Sequence, residues 1–419
     1  MRTSDGGHFQ RFIERARLRD ELVVQPRMGF GALPAMRAGL DAVAALPCKA
    51  IGTITLDSYT RVGDYASALR CLAEGQPLNG FPIVSHSVEA IRGMLDGLYG
   101  ADFPIQVRHG TAQPQRVFQR IAELGLDATE GGPVSYCMPY SRLPLARAVE
   151  AWAESCRLFA DASASAHIES FGGCLLGQLC PPSLLIAMAL LEGLFFHRYG
   201  VRSVSLSYAQ GTSMAQDLGA LRALRELAGE YLGDGHWHVV VYSYMGVFPA
   251  TLHGARALIC DSARLARKAG CERLIVKTIA ESRQIPSVAD NLEALEMAAR
   301  VAGETARDAE PAATGYYEEI LFEARRLVDT VLDLHADLGE ALTRAFARGL
   351  LDIPFCLHAD NPGRATTRID GEGALRWGNV GGLPLPRSSG LSSQGPGIRS
   401  AELFQMLHYT VSRYDQPLH

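Results

Sequence analysis

Short runs of β-branched and other apolar residues alternate with amphipathic segments along most of the chain. Candidate strands lie at 22–24, 50–56, 81–84, 104–108, 133–136, 167–171, 201–208, 238–244 and 273–278, and amphipathic helices at 114–124, 143–159, 214–231 and 289–301. Repeated strand–helix units predict parallel strands joined by crossover helices. Nine candidates for eight positions indicate an α/β fold, a (β/α)8 TIM barrel, with one run as a loop or hairpin. The alternative is an open doubly wound sheet, which expects a Gly-rich turn after the first strand; Gly-Phe-Gly follows there, without GxGxxG.

The strand–helix rhythm stops near residue 305. Residues 316–347 predict two long helices, the chain from 354 is rich in Gly, Pro and Ser, and a short helix is expected near 401–409. We therefore predict a catalytic barrel over 20–305 and a C-terminal, loop-rich α+β extension over 306–419.

The composition and charge of the chain argue against several classes of protein. A net charge of −5 argues against binding nucleic acid through bulk positive charge, and 47% hydrophobic residues exclude wholesale disorder. The longest apolar stretch, 184–196, is too short to span a bilayer and predicts a buried helix, and the first 20 residues lack a signal-peptide core. Nine scattered cysteines without CxxC or zinc spacing predict reduced thiols, a cytoplasmic protein and no metal site of its own.

Arginine follows three of the candidate strands, at positions 27, 61 and 108. Active sites of barrels lie at the carboxyl ends of the strands, and guanidinium forks match carboxylates. Three such cations in one barrel mouth would imply an anionic ligand, most simply one with two carboxylates. Alternatively each Arg is a structural ion-pair partner, since only three of the 40 basic residues are Lys.

Other polar residues near the strand ends allow two interpretations each. Glu130 precedes a Gly-Gly turn expected to let backbone approach a ligand, and could meet an ammonium group, act as a base, or cap a helix. Tyr136 and Tyr140 could donate hydrogen bonds to a carboxylate or simply pack. Lys277 and Glu281 would form a surface pair in a helix, but would both project into the mouth from a strand-end loop.

An ordered series of motifs carries a family resemblance. They include VVQPRMGFG at 23–31, LDSYTRVGDY at 56–65, IQVRHGT at 105–111, TEGGPVSYCMPYSR at 129–142, LIVKT at 274–278 and DIPF at 352–355. Together they resemble the large (epsilon, or E) subunit of glutamate mutase, also called methylaspartate mutase. The resemblance implies an isomerase that interconverts L-glutamate and L-threo-3-methylaspartate by an adenosylcobalamin-dependent radical rearrangement.

The resemblance also implies roles for individual residues. Arg27, Arg61 and Arg108 would form a claw on the substrate carboxylates, Glu130 would meet the amino group, and Tyr136 and Tyr140 would help to hold a carboxylate. The implied cofactor-binding residues are Lys277 and Glu281 at the adenosyl ribose, with Glu169, Phe171 and Asn361. Two alternatives remain: a related cobalamin-dependent mutase acting on another amino diacid, or a non-catalytic homologue that stabilises a partner subunit.

Cobalamin domains of this class hold cobalt through a DxHxxG motif. The nearest string is Asp-Leu-His-Ala-Asp-Leu-Gly at 333–339, whose Gly comes one residue too late and whose setting is a long helical pattern. We interpret this string as coincidental. The resemblance then implies a separate small cobalamin-binding subunit with DxHxxG, in a heterotetramer or with a homodimer of the large subunit, and no nucleic-acid or membrane partner.

Overall fold

Eight parallel strands form the centre of the molecule. The computed structural model describes residues 7–177, 179–307, 315–386 and 398–416. The strands are β1 (Val23–Pro26), β2 (Gly52–Thr55), β3 (Ile105–Arg108), β4 (Ala128–Gly131), β5 (His167–Ser170), β6 (Ser203–Ala209), β7 (His236–Tyr242) and β8 (Arg273–Val276). Each pairs with its sequence neighbour from β2 to β8, and β8 pairs with β1.

The sheet closes on itself between β1 and β2. Val24 bridges to Ala50, its N–H donates to the Lys49 carbonyl at 2.9 Å, and the Ile51 N–H donates to the Val24 carbonyl at 3.2 Å. The predicted (β/α)8 TIM barrel is therefore confirmed, and the open sheet is excluded.

The helices lie outside the barrel and follow the predicted amphipathic segments. In the barrel region they are α1 (His8–Leu18), α2 (Leu33–Ala44), α3 (Ser58–Val62), α4 (Tyr65–Ala73), α5 (Val88–Leu95), α6 (Gln115–Leu124), α7 (Leu145–Ala162), α8 (Pro182–Arg198), α9 (Met214–Leu232), α10 (Leu252–Lys268) and α11 (Val288–Glu304). Helix α6 shows the principle, since it buries one face through Val117, Phe118, Ile121 and Leu124. It ends at Gly125, whose φ of 72° suits glycine.

The apolar stretch at 184–196 lies in α8, which is buried from Pro182 to Phe196. Of the helices that the structure describes, none combines the length and the apolar character needed to cross a membrane.

Two of the nine strand candidates were wrong. The run at 81–84 forms a single bridge, between Phe81 and Leu56. The run at 133–136 is a turn, and the fourth strand is Ala128–Gly131 just before it. The turn cannot pair as a strand because the N–H groups of Val134 and Ser135 donate instead to the buried carboxylate of Glu192 on α8, at 3.1 and 2.8 Å.

The lower, amino end of the barrel is covered by α1. Phe9 is fully buried there, 4.6 Å from the ring of His167 between centroids, and its ring lies 5.0 Å from the guanidinium carbon of Arg273. Above it the barrel interior is polar rather than aliphatic. Hydrogen bonds connect the buried side chains of Gln25, Thr53, Gln106, Glu169, Ser205 and Arg273.

The C-terminal part packs on the outside of the barrel. It contains α12 (Gly315–Leu332), α13 (Leu338–Arg348), β9 (Thr366–Ile369), β10 (Leu375–Asn379) and α14 (Ser400–Tyr414), with β9 and β10 antiparallel. The two predicted long helices and the final helix are confirmed. Gln216 on α9 exchanges two hydrogen bonds with the backbone of Leu375, at 2.8 and 2.9 Å. The division at residue 305 stays a prediction.

Candidate functional site

A cavity of about 820 Å³ opens at the carboxyl ends of the barrel strands. Of the residues singled out in the sequence, its lining includes Arg27, Arg61, Arg108, Glu130, Tyr136, Tyr140 and Phe171. The structure thus brings these seven residues together at one cavity, and their roles there stay a prediction.

Each arginine reaches the cavity from a different element. Arg27 follows Pro26, the last residue of β1, and Arg108 ends β3. Arg61 lies on α3, whose N-terminus is capped by the Asp57 carboxylate through the N–H groups of Tyr59 and Thr60. The Arg61 Nε donates to the Leu56 carbonyl at 3.0 Å, which fixes the guanidinium over the cavity.

Two of the three arginines already have carboxylate partners. Arg108 Nε lies 2.7 Å from Glu130 Oε2, and Arg27 Nη1 lies 3.6 Å from Glu281 Oε1. Within the described part of the chain, no carboxylate lies within ion-pair distance of Arg61. Arg27 and Arg108 thus have ion-pair partners, as the alternative interpretation of the sequence allowed.

Charge at the site remains positive nevertheless. Lys277 Nζ shares the Glu281 carboxylate at 3.0 Å, so four cations face two carboxylates in this cluster. Burial lowers the pKa of Arg61, and the nearby charges of Arg108 and Arg27 act in the same direction. An anion with two negative charges would balance the cluster.

Glu130 is held by donors on three sides. It lies on β4, 2% exposed, and accepts from Arg108, from Tyr242 at 2.8 Å and from the Tyr136 hydroxyl. Burial alone would raise the pKa of this carboxyl, but Arg108 and the two phenols hold it below its ordinary value. Glu130 is therefore a buried, ionised carboxylate surrounded by hydrogen-bond donors.

The turn after β4 brings Tyr136 back to Glu130. Gly131 has a φ of 135°, and a Cβ there would lie 2.4 Å from the Trp152 ring and 2.7 Å from the Tyr136 ring. A Cβ on Gly132 would lie 2.0 Å from the Glu192 carboxyl. The two glycines make room for protein side chains, whereas the sequence had suggested that they let a ligand approach.

Lys277 and Glu281 lie in the loop that follows β8, with Glu281 in a 3-10 turn. They are therefore not a surface pair on a helix. Burial and the charge of Arg27 lower the pKa of Lys277 to about 8, with Glu281 opposing. Burial would raise the pKa of Glu281, but Lys277 and Arg27 keep it below its ordinary value.

Comparison with known proteins identifies the family. The family model for the methylaspartate mutase E chain (MutE) matches residues 4–390. The chain belongs to this family. The glutamate mutase epsilon subunit of Yersinia enterocolitica is 31% identical over 91% of this chain and 82% of its own length, and that of Haloarcula marismortui is 32% identical over 90% and 79%.

Solved structures that resemble this MutE-family chain include a truncated 3-deoxy-D-arabino-heptulosonate 7-phosphate synthase from Thermotoga maritima. The TM-score is 0.37 and the identity 13%, over 68% of this chain and 84% of that chain. The barrel assignment rests on the strand order described above, not on this likeness.

Four implied site residues do not line the cavity: Lys277, Glu281, Glu169 and Asn361. Glu169 is fully buried inside the barrel, where Arg273, Gln106 and Ser205 donate to it. Asn361 lies in the C-terminal part and uses its side chain to bind the backbone of Ile353. Their implied role in binding the cofactor stays a prediction.

The DxHxxG-like string does not occupy a strand-to-helix loop. It forms the connection between α12 and α13, rather than the middle of a helix, and His335 Nδ1 accepts from the Asp337 N–H at 3.0 Å. Its interpretation as coincidental still fits this setting.

Sequence reasoning missed His109 and Tyr242. His109 lines the cavity, and burial lowers its pKa to about 3, so that the ring is neutral. Its Nδ1 accepts from the Thr111 N–H at 3.2 Å, while Nε2 is buried without a hydrogen-bond partner. His109 could have been found from the sequence, because it directly follows Arg108 at a strand end. Tyr242 could not, because an aromatic residue at the end of an apolar strand does not by itself indicate a functional role.

Proposed function

We propose that this chain is the catalytic subunit of a glutamate mutase, an isomerase that interconverts L-glutamate and L-threo-3-methylaspartate. Membership of the MutE family supports the reaction class. The observation that carries the substrate is the cluster of Arg27, Arg61 and Arg108 around one ionised carboxylate, Glu130. An amino diacid offers two carboxylates to the arginines and one ammonium to Glu130.

The geometry suggests how the substrate is held. Arg61, which has no carboxylate partner among the described residues, offers its guanidinium fork to one substrate carboxylate. Arg108 and Arg27 contribute to the second while they keep their own carboxylate partners. The neutral His109 borders the same cavity with its Nε2 buried and without a hydrogen-bond partner, and Tyr136 and Tyr140 border it as well. Such a clamp fixes both ends of a short substrate.

Glu130 is suited to hold or accept a proton of the substrate ammonium group. Its carboxylate is ionised, buried and surrounded by donors that also stabilise it after the substrate leaves. In a site closed to water a proton passed from nitrogen to Glu130 stays near the substrate and can be returned.

The loop after β8 fits the adenosyl part of adenosylcobalamin. The Thr278 Oγ1 is buried without a hydrogen-bond partner beside Lys277 and Glu281, and a ribose hydroxyl is a partner that these groups would accept. Lys277 and Glu281 would hold the ribose, with Phe171 on the cavity wall. When bound, this cofactor supplies a carbon-centred radical for hydrogen-atom removal.

The cobalt ligand is proposed to come from another chain. The DxHxxG-like string of this chain lies in the connection between α12 and α13, where His335 Nδ1 accepts from the Asp337 N–H. We propose a small cobalamin-binding subunit with DxHxxG seated on the open end of the barrel, in a heterotetramer or with a homodimer of the large subunit. All nine cysteines are free thiols, which supports a cytoplasmic location.

Reconstitution tests the proposal. The full chain, a small subunit with DxHxxG and adenosylcobalamin should convert glutamate to 3-methylaspartate, detected by NMR. Arg61→Met should abolish turnover at low substrate and cost the fold only the hydrogen bond to the Leu56 carbonyl, because it strands no buried carboxylate. A folded, reconstituted complex that gives no product from glutamate contradicts the proposal, and product from another amino diacid in a substrate panel redirects it to that substrate.

A further inference from the structure

The hydroxyl of Tyr242 lies between two carboxylates. Its oxygen is 2.8 Å from Glu130 Oε2 and also contacts Glu169 Oε1. Arg108 Nη2 is 3.4 Å away on a third side. All four side chains are buried, and both contacts between oxygens are hydrogen bonds of the phenol.

A phenol carries one hydrogen, which can serve only one carboxylate at a time. If Glu130 and Glu169 are both ionised, the phenol hydrogen can lie toward only one of them. The oxygen of the other carboxylate then faces the phenol oxygen with no hydrogen atom between them. If Glu130 takes a proton, its own O–H can donate to the Tyr242 oxygen, and the phenol hydrogen can then serve Glu169. Both contacts are satisfied in that state.

Glu169 has hydrogen-bond donors of its own besides Tyr242. Arg273 pairs with it, and Gln106 Nε2 and Ser205 Oγ donate to it at 3.2 and 3.3 Å. Arg273 is itself fixed, since its Nε donates at 3.0 Å to Nε2 of His238. Burial keeps the pKa of His238 well below its ordinary value, so this ring stays neutral and accepts.

We propose that Tyr242 is a positioning residue whose hydroxyl hydrogen points to Glu130 when Glu130 is ionised and to Glu169 when Glu130 is protonated. The proposal deepens the function proposed above, because it rests on Glu130 as the group that takes a substrate proton. In that step an N–H bond of the ammonium breaks and an O–H bond forms at Glu130. The phenol O–H only rotates, so the buried site accepts the proton without admitting water.

Other charged and titratable groups face this arrangement from neighbouring elements. Beyond Glu169 and Arg273 they are Arg61, Arg108, His109, Tyr136, Tyr140 and Cys174. Of the two carboxylates, Arg108 and Tyr136 hydrogen-bond only to Glu130, whereas Tyr242 hydrogen-bonds to both.

The chain alone allows a test that does not need turnover. Infrared titration of the protonated carboxyl band, assigned with Glu130→Gln, should show the pKa of Glu130 raised by about one unit in Tyr242→Phe, the size expected for one lost hydrogen bond to a carboxylate. Tyr208→Phe is the matched control. It removes an equally buried phenol that donates to Asp217 at 2.8 Å, away from the cavity, and should leave the Glu130 band unchanged.

A second measurement uses the unaltered residues. In protein with isotopically labelled tyrosine, the phenol C–O band of Tyr242, identified by its loss in Tyr242→Phe, should shift when glutamate binds and Glu130 takes a proton. In the reconstituted complex, kcat should fall off at low pH, and in Tyr242→Phe this fall should occur about one pH unit higher than in the wild type. KM should change less than kcat.

The outcomes separate the two proposals. An unchanged Glu130 titration in Tyr242→Phe, or a phenol band that ignores glutamate binding, overturns the role of Tyr242. A wild-type complex without product contradicts the mutase function but leaves the infrared titration to decide on Tyr242.

Discussion

Arg108 Nε lies 2.7 Å from Glu130 Oε2, and neither side chain is more than 4% exposed. Arg108 therefore has two tasks, to compensate a buried carboxylate and to face the ligand cavity. Arg61 has only the second, because no described carboxylate pairs with it. The two arginines should thus respond differently to substitution.

Arg108→Lys keeps the charge but loses the planar fork. We expect kcat/KM to fall by an amount equivalent to about 2–4 kcal/mol of transition-state stabilisation, as for other disrupted buried charge pairs. Steady-state kinetics of the reconstituted complex measure this loss. An unchanged kcat/KM would show that Arg108 does not bind the substrate.

Lys277 should make cofactor affinity depend on pH. Its pKa is lowered to about 8, so it is charged below that pH and loses its charge as the pH rises through it. Binding of adenosylcobalamin to the complex, followed by titration between pH 7 and 9, should weaken across this range. Lys277→Arg, which stays charged, should remove the dependence; a parallel fall in that variant would assign it to another group.

Glu192 should make stability fall as the pH rises. Burial raises the pKa of Glu192 from 4.5 to about 7 against the donors that surround it, so the folded state favours the protonated form. This raised pKa contributes roughly 3 kcal/mol to the free energy of unfolding. The contribution is fully present below the pKa that Glu192 has in the unfolded state and is lost as the pH rises toward 7. In Glu192→Gln the slope of the free energy of unfolding between pH 5 and 7 should flatten. Chemical denaturation at several pH values checks this, and an equally steep slope in the variant would contradict it.

Gly131→Ala should destabilise the fold and disturb the site together. The φ of 135° is strained for alanine, and the new Cβ would meet the rings of Trp152 and Tyr136. We expect a loss of more than about 2 kcal/mol in the free energy of unfolding. Gly97→Ala is the control, since its φ of 68° is also positive but nothing lies within 4 Å of the added Cβ. Equal losses in both variants would show that the clash contributes nothing.

The fold was largely predictable because hydrophobic periodicity is a local signal. Seven strands and the long helices followed it. Strand β4 did not, since Ala-Thr-Glu-Gly has little intrinsic strand preference and is extended only through its pairing with β3 and β5. The more apolar run after it looked like a strand, but its backbone donors belong to Glu192, a residue nearly 60 positions away.

The sequence allowed the residues of the site to be predicted, but not which of its charged side chains pair with each other. Arg27, Arg61 and Arg108 could be placed at strand ends from spacing and family motifs. Which of them had a carboxylate partner depended on contacts such as Arg27 to Glu281, which join opposite ends of the barrel sequence. The role of Tyr242 could not be read either, because it depends on two carboxylates on other strands.

Phe9 and α1 cover the amino end of the barrel, so the cavity faces solvent at the carboxyl ends. The barrel is thus closed at its amino end and has this opening at its carboxyl end. A partner subunit seated over that opening would therefore also control how small molecules reach Arg27, Arg61 and Arg108.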